Sequence, residues 1–68
     1  MIQFKIEGEF IPLIQLLKVT GLVGTGGDAQ AAVMDGLVKC NGEVEFRKRY
    51  KVRIGDIIIF GTDKIEVI

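Results

Sequence analysis

The spacing of apolar residues changes along the chain, and each change marks an element. Ile2, Phe4 and Ile6 alternate with Gln3, Lys5 and Glu7, the two-residue period of a half-buried strand, and Gly8 ends it. From Ile11 the period lengthens: Ile11, Ile14 and Leu17, with Leu13 and Leu16 between them, recur every three or four residues until Thr20 and Gly21. That spacing predicts a mostly buried helix with Pro12 at its first position, where a missing N–H costs nothing. Gly21 to Gly27 is a glycine-rich connector, after which Ala29, Ala32 and Val33 predict a second, shorter helix. Thr25 and Asp28, three residues apart, fit a capping box at its start, and Gly36 fits a terminator at its end.

The remainder reads as strands. Leu37-Val38-Lys39-Cys40 and Glu43-Val44-Glu45-Phe46 flank Asn41-Gly42, a dipeptide whose tolerance of positive φ makes it the strongest short hairpin signal. Beyond a basic stretch, Gly55-Asp56 marks a turn, Ile57 to Phe60 a buried strand, Gly61-Thr62-Asp63 another turn, and Ile65 to Ile68 a last strand. One strand, two helices and then a series of strands is an α+β order. The 68 residues leave room for one small domain, spanning 1–68, near the lower size limit for a self-sufficient apolar core.

Charge adds what periodicity cannot show. Nine basic and nine acidic residues cancel to a net charge of zero, yet the signs are segregated. Lys39 to Arg53 holds six basic residues against two acidic, a net of +4, while the rest holds three basic against seven acidic, a net of −4. The densest part, Phe46 to Arg53, carries five cations in eight residues. Taken as one strand, it sends Arg47, Arg49, Lys51 and Arg53 to one face and Phe46, Tyr50, Val52 and Ile54 to the other. A charge run is by default a solvated face; the dipolar layout raises above that default a surface for polyanions.

Other chemistry is thinly represented. An apolar fraction of 49% and a charged fraction of 26% belong to an ordinary globular chain. Cys40 has no second cysteine and no histidine to join it, so neither a disulfide nor a zinc site is expected, and a reducing, cytoplasmic setting fits best. The alternating amino terminus is unlike a signal peptide, and no apolar run reaches the roughly 18 residues of a membrane span, so no membrane partner is expected. Without histidine the commonest general acid/base is missing, and Cys40 has no imidazole to activate it. The carboxylates are scattered, with Glu43 and Glu45 expected to pair with the arginines. No enzyme activity, cofactor, metal or small-molecule substrate is expected.

Gly24-Thr25-Gly26-Gly27-Asp28-Ala29 matches the GxGxxA form of the dinucleotide fingerprint, but a helix precedes it where that motif needs a strand, and no P-loop lysine follows. It reads as a loop leading into a helix, whose free N–H groups at Gly26 and Gly27 offer a contact to a nucleic-acid phosphate, with Asp28 competing for them. Phe10 and Tyr50 are expected in the core, which favours recognition through phosphates and shape over base stacking.

Leu13 and Leu17, Gly21, Ala29 and Val33, Gly36 to Val44 with its Gly-x-Val-x-x-Asn-Gly element, and Val52 to Ile58 with Gly-Asp-x-Ile follow one another at specific spacings. In these residues the segment Phe10 to Phe60 resembles an S4 domain, the small RNA-binding module of a ribosomal protein, pseudouridine synthases, tyrosyl-tRNA synthetases and a heat-shock ribosome-recycling protein. Gly26 to Ala31 and Val44 to Arg49 resemble more narrowly a branch of small free-standing bacterial S4-like proteins. The resemblance implies an αL motif, two short helices packed on a small, mostly antiparallel sheet. It also implies a non-enzymatic module for structured RNA such as rRNA or tRNA, with ribosomal particles as a further partner. The chain departs from the family in carrying Gly26-Gly27 where a Ser-Arg pair usually opens the second helix, and Gln30 where the branch often has lysine. Weight therefore shifts to Lys18, Lys39, Arg47, Lys48 and Arg49, with Lys51 and Arg53 added from the alternation. The alternative is a protein-interaction adaptor that docks its cationic face on an acidic partner.

Overall fold

A computed structural model describes residues 1–68. The elements in order are β1 (Ile2–Phe4), β2 (Ile11–Pro12), α1 (Leu13–Val19), α2 (Gly26–Met34), β3 (Val38–Cys40), β4 (Glu43–Val44), β5 (Lys51–Val52), β6 (Ile57–Phe60) and β7 (Asp63–Val67). Five strands form one sheet in the order β1-β7-β6-β3-β4, while β2 and β5 form a separate antiparallel pair. Only β1 and β7 run parallel, so the sheet is mostly antiparallel and the two helices pack on it as the resemblance implies. The helices interlock through Leu13, Leu16 and Leu17 of α1 and Ala29, Ala32 and Val33 of α2, all buried. The small alanines let the axes approach, and Val38, Val52, Ile58, Ile65 and Val67 complete the core from the strands. Each fully buried side chain of this size contributes about 1.5–3 kcal/mol over exposure. No helix is long and apolar enough to cross a membrane.

Most departures from the sequence pattern have identifiable causes. Pro12 is extended (φ −60°, ψ 139°) and sits just before α1 rather than inside it, because it is drawn into pairing with Lys51. Asn41 (φ 53°) and Gly42 (φ 91°) form the expected tight turn, but β4 ends at Val44 rather than Phe46. At the other end β7 begins two residues early, since Phe60 pairs with Asp63 across the Gly61-Thr62 turn and solvent-facing Asp63 and Lys64 carry no apolar signal. The capping box is made in one direction only: Thr25 Oγ1 accepts from the Asp28 N–H at 3.0 Å.

The basic run is the largest correction. It is not one strand: only Lys51 and Val52 are in β5, and Arg47 to Tyr50 form a turn in which the Tyr50 N–H donates to the Arg47 carbonyl at 3.0 Å. Phe46 and Ile54, expected on an apolar inner face, are 63% and 68% exposed. The turn has a structural purpose. The Leu13 N–H donates to the Tyr50 carbonyl (2.9 Å) and the Ile14 N–H to the Lys48 carbonyl (3.2 Å), so the backbone of the basic run satisfies free donors of the first turn of α1. An uninterrupted strand could not deliver both carbonyls there.

Candidate nucleic-acid interface

That backbone staple brings the cations of the run against α1. An open groove of about 400 Å³ is lined by Pro12, Ile14, Gln15 and Lys18, by Gly26 at the start of α2, and by Arg49. A second, of about 450 Å³, is lined by Arg47, Arg49, Tyr50, Lys51 and Arg53. Arg49 belongs to both and joins them into one cationic surface. Five of the seven sequence-predicted cations are thereby assembled from α1, the turn, β5 and Arg53 just after it. Lys39 stands apart, exposed on β3 between Val44 and Ile59 of the neighbouring strands. Lys48 is half-buried and lines neither groove; its carbonyl is what serves α1. The N–H groups of Gly26 and Gly27 have no acceptor within the chain, and of the two residues only Gly26 lines a groove.

One ion pair is present, between Arg47 and Glu45. Glu45 Oε2 accepts from the Arg47 N–H (2.9 Å) and Nε (3.0 Å), and Oε1 accepts from Nη2 (3.0 Å). These bonds to Arg47 hold the Glu45 carboxyl below its ordinary pKa. Glu43 takes no part, because its place in β4 opposite Cys40 precedes the bend that brings Glu45 to Arg47. Lys18, Arg49, Lys51 and Arg53 have no carboxylate within 4.0 Å. Like charges left together and unpaired disfavour one another unless an external anion satisfies them.

Aromatic residues hold several of these cations in place. The Arg47 guanidinium lies 5.1 Å from the Tyr50 ring centroid, and Lys51 and Arg53 lie 5.0 Å and 5.8 Å from that of Phe10. Phe10, expected in the core, is 38% exposed. It precedes β2, and the pairing of Ile11 with Val52 carries it to the two outward-facing cations beside Val52. Sequence reasoning missed this role because nothing local to Phe10 announces a partner forty residues on; the one usable signal is that an aromatic precedes a strand pairing with a basic segment.

Asp56 secures the far side of the turn. Its Oδ1 accepts from Asn41 Nδ2 (3.0 Å), and its Oδ2 from the Arg53 N–H (2.9 Å) and the Tyr50 hydroxyl (3.3 Å). Asn41 Oδ1 accepts in turn from the Ile57 N–H (2.9 Å). The Asn-Gly and Gly-Asp elements, fourteen positions apart in sequence, thus meet in one hydrogen-bond network beneath the basic groove. Buried Cys40 adjoins it, and burial above all pushes its thiol up from the ordinary value, which keeps it protonated and poorly nucleophilic at neutral pH.

Tyr50 is pushed up to about 12, first by the neighbouring Cys40, then by burial and the negative charge of Asp56. The fold favours the neutral phenol, so this contribution to stability is whole below the unfolded value near 10 and is lost as pH rises from about 10 to 12. One tyrosine and no tryptophan make absorbance at 295 nm a clean readout. The native midpoint is expected near pH 12 and the midpoint in denaturant near 10; coincident midpoints would contradict the network.

Residues 4–68 match the family model of the S4 domain. YbcJ of Escherichia coli (strain K12), provisionally named an RNA-binding protein, is 36% identical over 58 residues, 85% of this chain and 83% of YbcJ. The uncharacterised YbcJ of Shigella flexneri matches to the same extent. The solution structure of E. coli YbcJ, described as revealing an αL motif involved in RNA binding, aligns with 100% of this chain and 87% of its own at a TM-score of 0.77 and 33% identity.

Proposed function

The chain belongs to the S4 domain family, and from that membership we propose a non-enzymatic RNA-binding protein that grips structured RNA, rRNA or tRNA, by its phosphates and shape. The observation that carries this reading is the assembly of Lys18, Arg49, Lys51 and Arg53 along two joined grooves with no acidic partner. Spaced cations on a concave surface match a folded RNA backbone, and contacts of this kind position the RNA without reading its sequence. Arg49, at the junction, takes the central phosphate. The free Gly26 N–H adds a neutral donor at one end, with Gly27 beside it, and Lys39 and Lys48 extend the positive field around the grooves.

A protein-docking role has one observation in its favour: Val44 and Phe46, 41% and 63% exposed, lie beside the cations at the edge of the sheet. Crosslinking in cells followed by sequencing of the recovered RNA separates the two roles and identifies the target. Enrichment of a discrete structured rRNA or tRNA region is expected. Recovery of an acidic protein with no RNA above background would replace the RNA reading with the adaptor one.

A further inference from the structure

Arg47 differs from its cationic neighbours in a way that suits another task. Both oxygens of Glu45 hold its guanidinium, through Nε and Nη2, and a third bond ties its backbone N–H to the same carboxylate. The guanidinium also lies over Tyr50, and Tyr50 is itself tethered to Asp56. The group is therefore fixed in direction by a paired acid and a ring. The Glu45 side chain is only 14% exposed whereas that of Arg47 is 74% exposed, so the anchor is sheltered and the plane it holds is open to solvent. As a phosphate ligand Arg47 is the weakest of the run, since its charge is already matched and a phosphate would have to displace Glu45. As a flat, immobilised cationic surface it is the best placed.

We propose that Arg47, clamped by Glu45 over Tyr50, is a stacking platform for one unpaired RNA base, and that Arg49, Lys51 and Arg53 in the same groove hold the flanking phosphates. The platform deepens the RNA-binding reading and rests on it. Bases splayed out of bulges and loops stack on arginine planes as they do on aromatic rings, and duplex RNA presents no such face. The groove, at about 450 Å³, falls within the roughly 300–1,000 Å³ of ligand-holding clefts. The substrate class becomes a helix interrupted by an unpaired nucleotide rather than a continuous duplex.

Two RNA hairpins with the same stem, each closed by a non-nucleotide linker so that no loop base is free, test this, one fully paired and one carrying a single bulged 2-aminopurine. The full chain is expected to bind the bulged hairpin roughly tenfold more tightly and to change its 2-aminopurine fluorescence on binding. R47K keeps the charge but not the plane: it should lose both the preference and the fluorescence change. E45Q, which loosens the plane and frees a charge, should bind both hairpins more tightly while the preference shrinks. Equal binding of both hairpins by the parent chain, or a preference that survives in R47K, overturns the platform and leaves RNA binding standing. Binding of neither hairpin at low salt removes the RNA reading and the platform together.

Discussion

Replacement of Asp56 by alanine is expected to lower the thermal unfolding midpoint by roughly 10–20 °C. The carboxylate receives three hydrogen bonds, from Asn41, the Arg53 N–H and Tyr50, and these join the Asn41-Gly42 hairpin to the basic turn. Bonds to a charged acceptor contribute about 1.5–3 kcal/mol each at most; because these are largely solvent-exposed, a total of about 2–3 kcal/mol is expected. For a domain of this size each kcal/mol corresponds to roughly 4–8 °C. D56N should recover only part of the loss, since both oxygens receive donors and an amide nitrogen at either position opposes one. Circular dichroism melts check both variants. A D56A midpoint within a degree or two of the parent would show that the network does not hold the turn.

Combined replacement of Arg49, Lys51 and Arg53 by alanine is expected to weaken binding to structured RNA by roughly 10²–10³-fold at ~50 mM salt. All three are exposed and without acidic partners, so the fold should persist with an unchanged far-ultraviolet spectrum. Because each neutralised phosphate releases counterions, the slope of log affinity against log salt should also fall by about 2–3. Replacing Lys5 and Lys64, exposed cations outside both cationic grooves, should change affinity by no more than about twofold if local contacts rather than net charge carry binding. Equal losses in the two variants, measured by fluorescence anisotropy, would mean a diffuse field and no defined groove.

What could be read from the sequence depended on whether the signal was local. The hairpin was legible because Asn41 and Gly42 each accept positive φ, and the helices because Leu13, Leu16, Leu17, Ala29, Ala32 and Val33 repeat at helical spacing over a buried face. The basic cluster was legible as charge, but its shape was not. Alternation assumes a continuous ladder partner, and residues 46 to 50 have none; the Lys48 and Tyr50 carbonyls go to α1 instead, and that of Arg47 to the Tyr50 N–H. Phe46 and Ile54 accordingly stand exposed where a strand would have turned them inward. The contribution of Phe10 depends on the β2–β5 pairing, a non-local contact between two-residue strands too short to carry any pattern. The pairing of an acid with the arginines was expected at Glu43 and Glu45 alike, and the bend after Val44 decides that only Glu45 reaches Arg47. The joining of Asn41 to Asp56 likewise depends on β3 and β6 lying side by side, which neither motif encodes alone.

In the RNA-binding role proposed above, the unpaired cations of the two joined grooves hold the RNA phosphates. The most direct test is the anisotropy of a fluorescent structured RNA, an rRNA fragment or a tRNA, titrated with the full chain across a series of salt concentrations. With four to six phosphates neutralised, log affinity should fall against log salt with a slope of about 3 to 5. Binding that is absent at low salt, or an affinity flat with salt, would contradict the account.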